Sequence, residues 1–174
     1  MQIVFIRHSM TAGNLERRYI GCRTDEPLCE AGISLAQQKT AEIRQTFPMP
    51  EVVLTSPMRR CVQTAEILFP DTPREIVYGL QECDFGDFEG KNYAELSGDP
   101  AYQAWIDSGG TLAFPSGESR AAFFAAMLSG IGTGFAAAAA SDSCRSGTRR
   151  YDHGCAFCTG RTAKAVLFVA GRTL

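Results

Sequence analysis

The sequence lacks any apolar stretch near the roughly 20 residues that a helix needs to cross a bilayer, so no membrane-spanning helix is expected. It also lacks an excess of either charge. Its 17 Lys and Arg stand against 19 Asp and Glu, a net charge of −2, so wholesale attraction to nucleic acid is not expected and any anion must be met locally. Nor is a secretory leader expected in QIVFI: this opening apolar run stops at Arg7-His8 without a long h-region or a small-residue cleavage site. There is little organised cysteine. The seven Cys are an odd number, and Cys22, Cys29, Cys61 and Cys83 show no ligand-like pairing. Cys155 and Cys158 form a CxxC near His153, but without a second ligand pair or a βαβ context that is a weak zinc or redox signal. Free thiols in a reducing compartment are the expectation, and with them a cytoplasmic chain that partners neither membrane nor nucleic acid.

What is present is enough for one soluble domain with a sizeable core: 174 residues, 45% hydrophobic. QIVFI reads as a buried strand. Apolar residues at Ile33, Ala36, Ile43 and Phe47, with Thr40 in register, predict a helix from Ala31 to about Phe47, ended by Pro48 and Pro50. EVVLT (51–55) reads as a second strand. Ser56-Pro57 then supplies an N-cap with Pro at the first helical position, which predicts a helix over 57–68. EIVY (75–78) reads as a third strand. The alternation indicates parallel βαβ units. Further helical patterning runs over 92–108, and another helix is predicted to start near 116–118. Beyond Ser129 the character changes to small residues, Arg and Cys with no clear amphipathic period until AVLFVA (165–170). The expected division is an α/β domain over 1–130 and an atypical tail over 131–174.

The chemistry gathers where the first strand ends. In open α/β sheets ligands bind at the carboxyl edge of the strands. Arg7 and His8 fall there, followed by Ser9, Thr11, Gly13 and Asn14: a set of donors beside one nucleophile, suited to a phosphate. The predicted helix after the second strand puts Arg59 and Arg60 in its first turn, at the same edge and near a positive dipole end. Arginine forks onto phosphate oxygens in a way Lys cannot reproduce. The loop LQECDFGDFEG (80–90) adds carboxylates at Glu82, Asp84, Asp87 and Glu89, and one carboxylic acid is wanted to protonate a leaving oxygen and later deprotonate water.

RHSMTAGN (7–14) resembles the RHGxTxxN signature of the histidine phosphatase superfamily, also called phosphoglycerate-mutase-like. GCRTDEPLCEAG (21–32), SPMRRCVQTA (56–65), LQECDFGDFEG (80–90) and FPSGES (114–119) follow in family order, so five blocks cover about residues 1–130. The resemblance implies a three-layer α/β/α fold with a mainly parallel sheet. It implies a phosphatase in which His8 is phosphorylated, Glu82 is the proton donor, and Arg7, Asn14 and Arg60 hold the phosphate, with no cofactor or metal. Glu89-Gly90 matches the family's structural turn, and Gly21, Asp25 and Pro27 read as loop architecture. Arg59 is expected to face solvent. The short chain is more similar to the family's small phosphatases, α-ribazole-phosphatase-like members among them, than to its mutases. A small phosphate ester is the expected partner; oligomeric state stays open.

Two departures carry consequences. Ser9 stands where the family has Gly, so either its backbone needs positive φ at a cost of roughly 1 kcal/mol or its hydroxyl adds a phosphate contact. The family's second pocket His follows a late apolar strand, roughly VVxHGG. Here TRRYD precedes His153-Gly154, and AVLFVA carries no His. The codons of 145–153, read from their second base, permit Val-Val-Val-His-Gly-Gly-Thr-Ile-Met. A slip of the reading frame near residues 130–142 is the expectation that follows, and with it an impaired pocket.

Overall fold

The computed structural model describes residues 2–145 and 164–169. Four strands, β1 (Gln2–Arg7), β2 (Val52–Thr55), β3 (Arg74–Ile76) and β4 (Lys164–Val169), form one parallel sheet in the order β1-β4-β2-β3. The late apolar run is therefore a central strand: Arg7 pairs with Val169 and Thr55 with Phe168. All the carboxyl ends consequently reach one rim.

Alternation along β2 builds the two faces. Val53 points to one side, where it packs with Met58, Cys61, Ala65, Leu68 and Phe69 of the α3 region (helix Arg59–Leu68) and with Ile43 of α2 (Glu30–Thr46). Leu54 points to the other, against Val77, Leu80 and the residues Met127, Ile131 and Phe135 of α5 (Arg120–Arg145). Helices thus cover both faces of a parallel sheet, the three-layer α/β arrangement. A third cluster, Tyr19, Phe85, Phe88, Trp105 and Phe114, packs mainly edge-to-face beside the sheet, with Trp105 stacked on Phe114, and roots the loops that overhang its rim.

Several boundaries differ from expectation for local reasons. The helix predicted over 57–68 begins at Arg59, with Met58 as N-cap; its first N–H groups are met from outside, Arg59 N donating to Asp25 Oδ1 at 2.7 Å and Met58 N to Ser56 Oγ at 3.4 Å. The pattern over 92–108 is helical only in α4 (Pro100–Asp107), because Asp99 caps there through Ala101 N with Pro100 next. Asn92 instead folds a turn by accepting from Ala94 N and Glu95 N. A four-residue helix, α1 (Ala12–Leu15), follows the first strand. The third strand is shorter than EIVY and gives way to a 3₁₀ turn at Tyr78–Leu80.

The largest correction concerns the stretch after Ser129, which is not aperiodic: α5 runs through it without a break to Arg145. Its buried face is Met127, Gly130, Ile131, Gly134 and Phe135, a helical i, i+3, i+4, i+7, i+8 stripe in which two positions are glycine. A Cβ on Gly130 would lie 2.6 Å from Gly79 Cα, and one on Gly134 2.8 Å from Val77 Cγ2. The glycines let the helix lie against the chain leaving β3. Gly132, on the open side, meets nothing within 4 Å. Two substitutions about 3 Å of helix apart should therefore have opposite signs. Gly130→Ala is expected to lower stability by about 1–3 kcal/mol through overpacking against backbone, and Gly132→Ala to raise it by about 1 kcal/mol through helix propensity, read as Tm shifts in calorimetry. Residues 146–163, with His153, Cys155 and Cys158, lie outside the described residues.

Candidate active site

His8 is the first residue past β1, and burial is the first fact about it. Its Nδ1 lies 2.6 Å from the Ser9 carbonyl oxygen. A carbonyl can only accept, so Nδ1 carries the proton and Nε2 keeps the lone pair. Burial lowers the imidazole pKa to about 4, with the charges of Arg60 and Arg7 adding to the effect and the Ser9 bond opposing it. His8 is therefore a neutral imidazole near pH 7, poised as a nucleophile.

The backbone around it is held rigidly. Ser9 N donates to Thr64 Oγ1 at 3.0 Å, Thr64 Oγ1 donates to the Arg60 carbonyl at 2.7 Å, and Ser9 Oγ donates to the Gly32 carbonyl at 2.7 Å. This answers the question posed by Ser9. Among the described residues only Arg17 and Ser116 are non-glycine residues with positive φ, so Ser9 is unstrained, and its hydroxyl is committed to α2. Gly32 is required at that junction, since a Cβ there would stand 2.0 Å from the Met10 carbonyl oxygen. Of the donors on 9–13, three backbone N–H groups are committed within the protein: Ser9 N goes to Thr64, Thr11 N to Asn14 Oδ1 and Gly13 N to the Glu26 carboxylate. Asn14 caps α1 reciprocally with Thr11. Its side-chain carbonyl is used there, which leaves the amide NH2 as its free donor.

Arg60 enters the same rim from α3 and is fully buried. Its guanidinium donates to the Thr24 carbonyl at 2.9 Å and the Gly21 carbonyl at 3.2 Å, while Nε has no partner among the described residues. Among the described residues no carboxylate pairs with it. A permanently charged group is thus held in the interior by two neutral acceptors, with an orphaned donor. That is costly unless an anion completes the set. Arg59, one residue earlier, is exposed.

Glu82 comes from the loop over the rim and is buried. Burial raises its pKa to about 7, against the opposing pull of its bond from Cys83 N and of the charges on Arg60 and Arg7. Arg7 and Arg60 therefore act electrostatically on both His8 and Glu82. A neutral nucleophile, a carboxylic acid protonated up to neutrality, the buried Arg60 guanidinium and the exposed Arg7 side chain are a set that can transfer a phosphoryl group. Reading motifs missed Thr64, Gly32 and the Gly21 and Thr24 carbonyls. Thr64 lay inside a recognised block, and the carbonyls had no side-chain signal to give.

Comparison with known proteins places the chain among relatives of one family. An adenosylcobalamin/alpha-ribazole phosphatase of Salmonella typhimurium is 31% identical over 127 residues, 71% of this chain and 61% of its own length. A 2,3-bisphosphoglycerate-dependent phosphoglycerate mutase of Bifidobacterium longum is 29% identical over 112 residues, 60% of this chain and 45% of its own. The chain thus spans about half the length of the curated relatives it matches. In fold it is similar to the alpha-ribazole phosphatase of Shigella flexneri, with a TM-score of 0.67 and 23% identity over 98% of this chain and 74% of that one. Residues 3–140 match the histidine phosphatase superfamily (branch 1), and the chain belongs to that family.

Proposed function

We propose that this chain hydrolyses small phosphate monoesters through a phosphohistidine on His8. The observation that carries the reading is the buried, carboxylate-free guanidinium of Arg60 beside a neutral imidazole. The His8 Nε2 lone pair attacks phosphorus, the ester P–O bond breaks, and the leaving oxygen takes the proton of Glu82. The Glu82 carboxylate then takes a proton from water, the hydroxide attacks phosphorus, and the P–N bond breaks to release phosphate and neutral His8. Arg7, Arg60 and the Asn14 amide hold the equatorial oxygens, so the scheme uses no metal and no cofactor. Similarity to alpha-ribazole phosphatases supports an α-ribazole-phosphate-like substrate, and hence a role in cobalamin synthesis. Four free thiols among the described residues suit the cytoplasm. A phosphoglycerate-mutase-type transfer is the competing chemistry, and it differs in passing the phosphoryl group to a hydroxyl instead of water.

The test is hydrolysis of p-nitrophenyl phosphate in EDTA by the chain and by His8→Ala, with samples quenched in alkaline detergent and probed for base-stable, acid-labile phosphohistidine. Phosphate release and label are expected in the first and absent in the second. Equal blanks favour the second reading, a non-catalytic remnant of the fold. One observation favours that reading: β4 is followed in sequence by Ala170-Gly171, with no His after the strand.

A further inference from the structure

The loop that carries Glu82 does not owe its position to Glu82, whose carboxylate among the described residues bonds only to the N–H of its neighbour Cys83. The fixed point is two residues on. Asp84 uses every polar group it has: its carbonyl accepts from Glu118 N at 3.1 Å, its N–H donates to Glu118 Oε1 at 2.9 Å, and Oδ1 accepts from Gly86 N at 2.9 Å. Its carboxylate also takes the Arg23 fork, Nε on Oδ1 at 2.8 Å and an Nη on Oδ2 at 3.0 Å. The same Nη reaches the Ser116 carbonyl at 2.5 Å.

Arg23 is itself anchored by its neighbours. Gly21 and Thr24, on either side, give their carbonyls to the Arg60 guanidinium. Gly21 N donates to Glu89 Oε1 at 2.9 Å and Cys22 N to the Cys83 carbonyl at 3.3 Å. The 21–24 segment therefore joins the phosphate clamp to the acid loop at both ends, and Arg23 adds the FPSGES turn as a third body. Arg23 and Asp84 are partly exposed, 47% and 29%, and such a pair by itself stabilises the fold little. What it fixes is geometry, because a bidentate fork resists rotation.

We infer that the Arg23–Asp84 pair is a strap that holds the Glu82 loop closed over the pocket, making Arg23 a positioning residue for proton transfer to the leaving oxygen. The inference rests on the phosphatase reading for its consequence in turnover, and on the hydrogen-bond network alone for its structural content. Opening the strap admits water to Glu82. That carboxyl faces Arg60 and the Cys61 thiol from α3, Arg7 from β1, and Glu89 and Cys83 from its own loop. Of these, Glu89 alone also feels the Arg23 charge.

Arg23→Gln, Arg23→Lys and Asp84→Asn separate the possibilities. In 13C-glutamate-labelled protein, with the signal assigned by its loss in Glu82→Gln, the Glu82 titration is expected to fall from near neutrality toward the ordinary range in Arg23→Gln and Asp84→Asn. Arg23→Lys keeps the charge and loses the fork, and is expected to fall as well. In p-nitrophenyl phosphate hydrolysis and in that of an alkyl ester, KM should stay within about twofold while kcat on the alkyl ester falls about tenfold to a hundredfold. The alkaline limb of the pH profile should move down with the NMR titration. An unmoved Glu82 titration in folded Arg23→Gln and Asp84→Asn overturns the strap, whether or not the wild-type chain turns over. Loss confined to KM overturns the positioning role. A silent wild type with a shifted Glu82 titration leaves the strap standing and removes the phosphatase reading.

Discussion

Replacing Glu82 with Gln is expected to lower hydrolysis of an alkyl phosphate by about a hundredfold to ten-thousandfold, the usual range for removing a general acid, and to leave an activated aryl ester much less affected. The difference follows from the leaving group. An alkoxide is too basic to depart without a proton, whereas p-nitrophenolate departs as the anion. Glu82 is able to supply that proton because burial holds its pKa at about 7; an ordinary glutamate is already ionised two units lower. His8 sets the other boundary, since its pKa is lowered to about 4 and below that value the lone pair is occupied. The kcat/KM of wild type on the alkyl ester is thus expected to rise with pH through about 4 and fall through about 7. Glu82→Gln should keep the acid limb and lose the alkaline one. An alkaline limb that survives in Glu82→Gln assigns the acid elsewhere.

Much of the fold was legible because the apolar runs of β1 and β2 are short, β-branched and bounded by polar residues, and because α2 ends where Pro48 and Pro50 require it. What was illegible has a common cause: partners distant in sequence. The start of α3 is set by Asp25, more than thirty residues upstream, so the local Ser-Pro signal misplaced it. The stripe of α5 went unseen because its close-packing positions are Gly130 and Gly134, and glycine carries no hydropathy. The place of β4 between β1 and β2 is a topological fact that no window of sequence contains.

For the site, Arg7 and His8 were legible as an interruption of an apolar strand, and Arg60 as part of a block with its own spacing. Glu82 was one of four loop carboxylates, and resemblance alone singled it out. Burial gives the physical reason, since Glu82 is buried while Asp87 is exposed, Asp84 is bound to Arg23, and one Glu89 oxygen is bound to Gly21. The Ser9 hydroxyl showed the reverse problem: its chemistry suited a phosphate, and its geometry gave it to the Gly32 carbonyl.

Arg60→Met is expected to abolish the stabilisation that inorganic phosphate gives the wild-type protein. Ligand at a hundred times its Kd adds about 2.7 kcal/mol to a native state that alone binds it, which for a chain of this size is a Tm rise of roughly 5–10 °C. Without phosphate the substitution has opposing effects. It removes a buried charge whose desolvation costs several kcal/mol, and it strands the Gly21 and Thr24 carbonyls that the guanidinium now satisfies, at about 1–3 kcal/mol each. These terms offset, so the phosphate-free Tm should move little while the phosphate-dependent rise disappears. Turnover should fall by at least about a hundredfold, as when one fixed donor to a developing charge is lost. Calorimetry of both proteins over a phosphate series reads the two effects separately. Equal Tm rises in wild type and Arg60→Met would show that the anion sits elsewhere, and Arg60 would then be a structural cation bridging the 21–24 segment to α3.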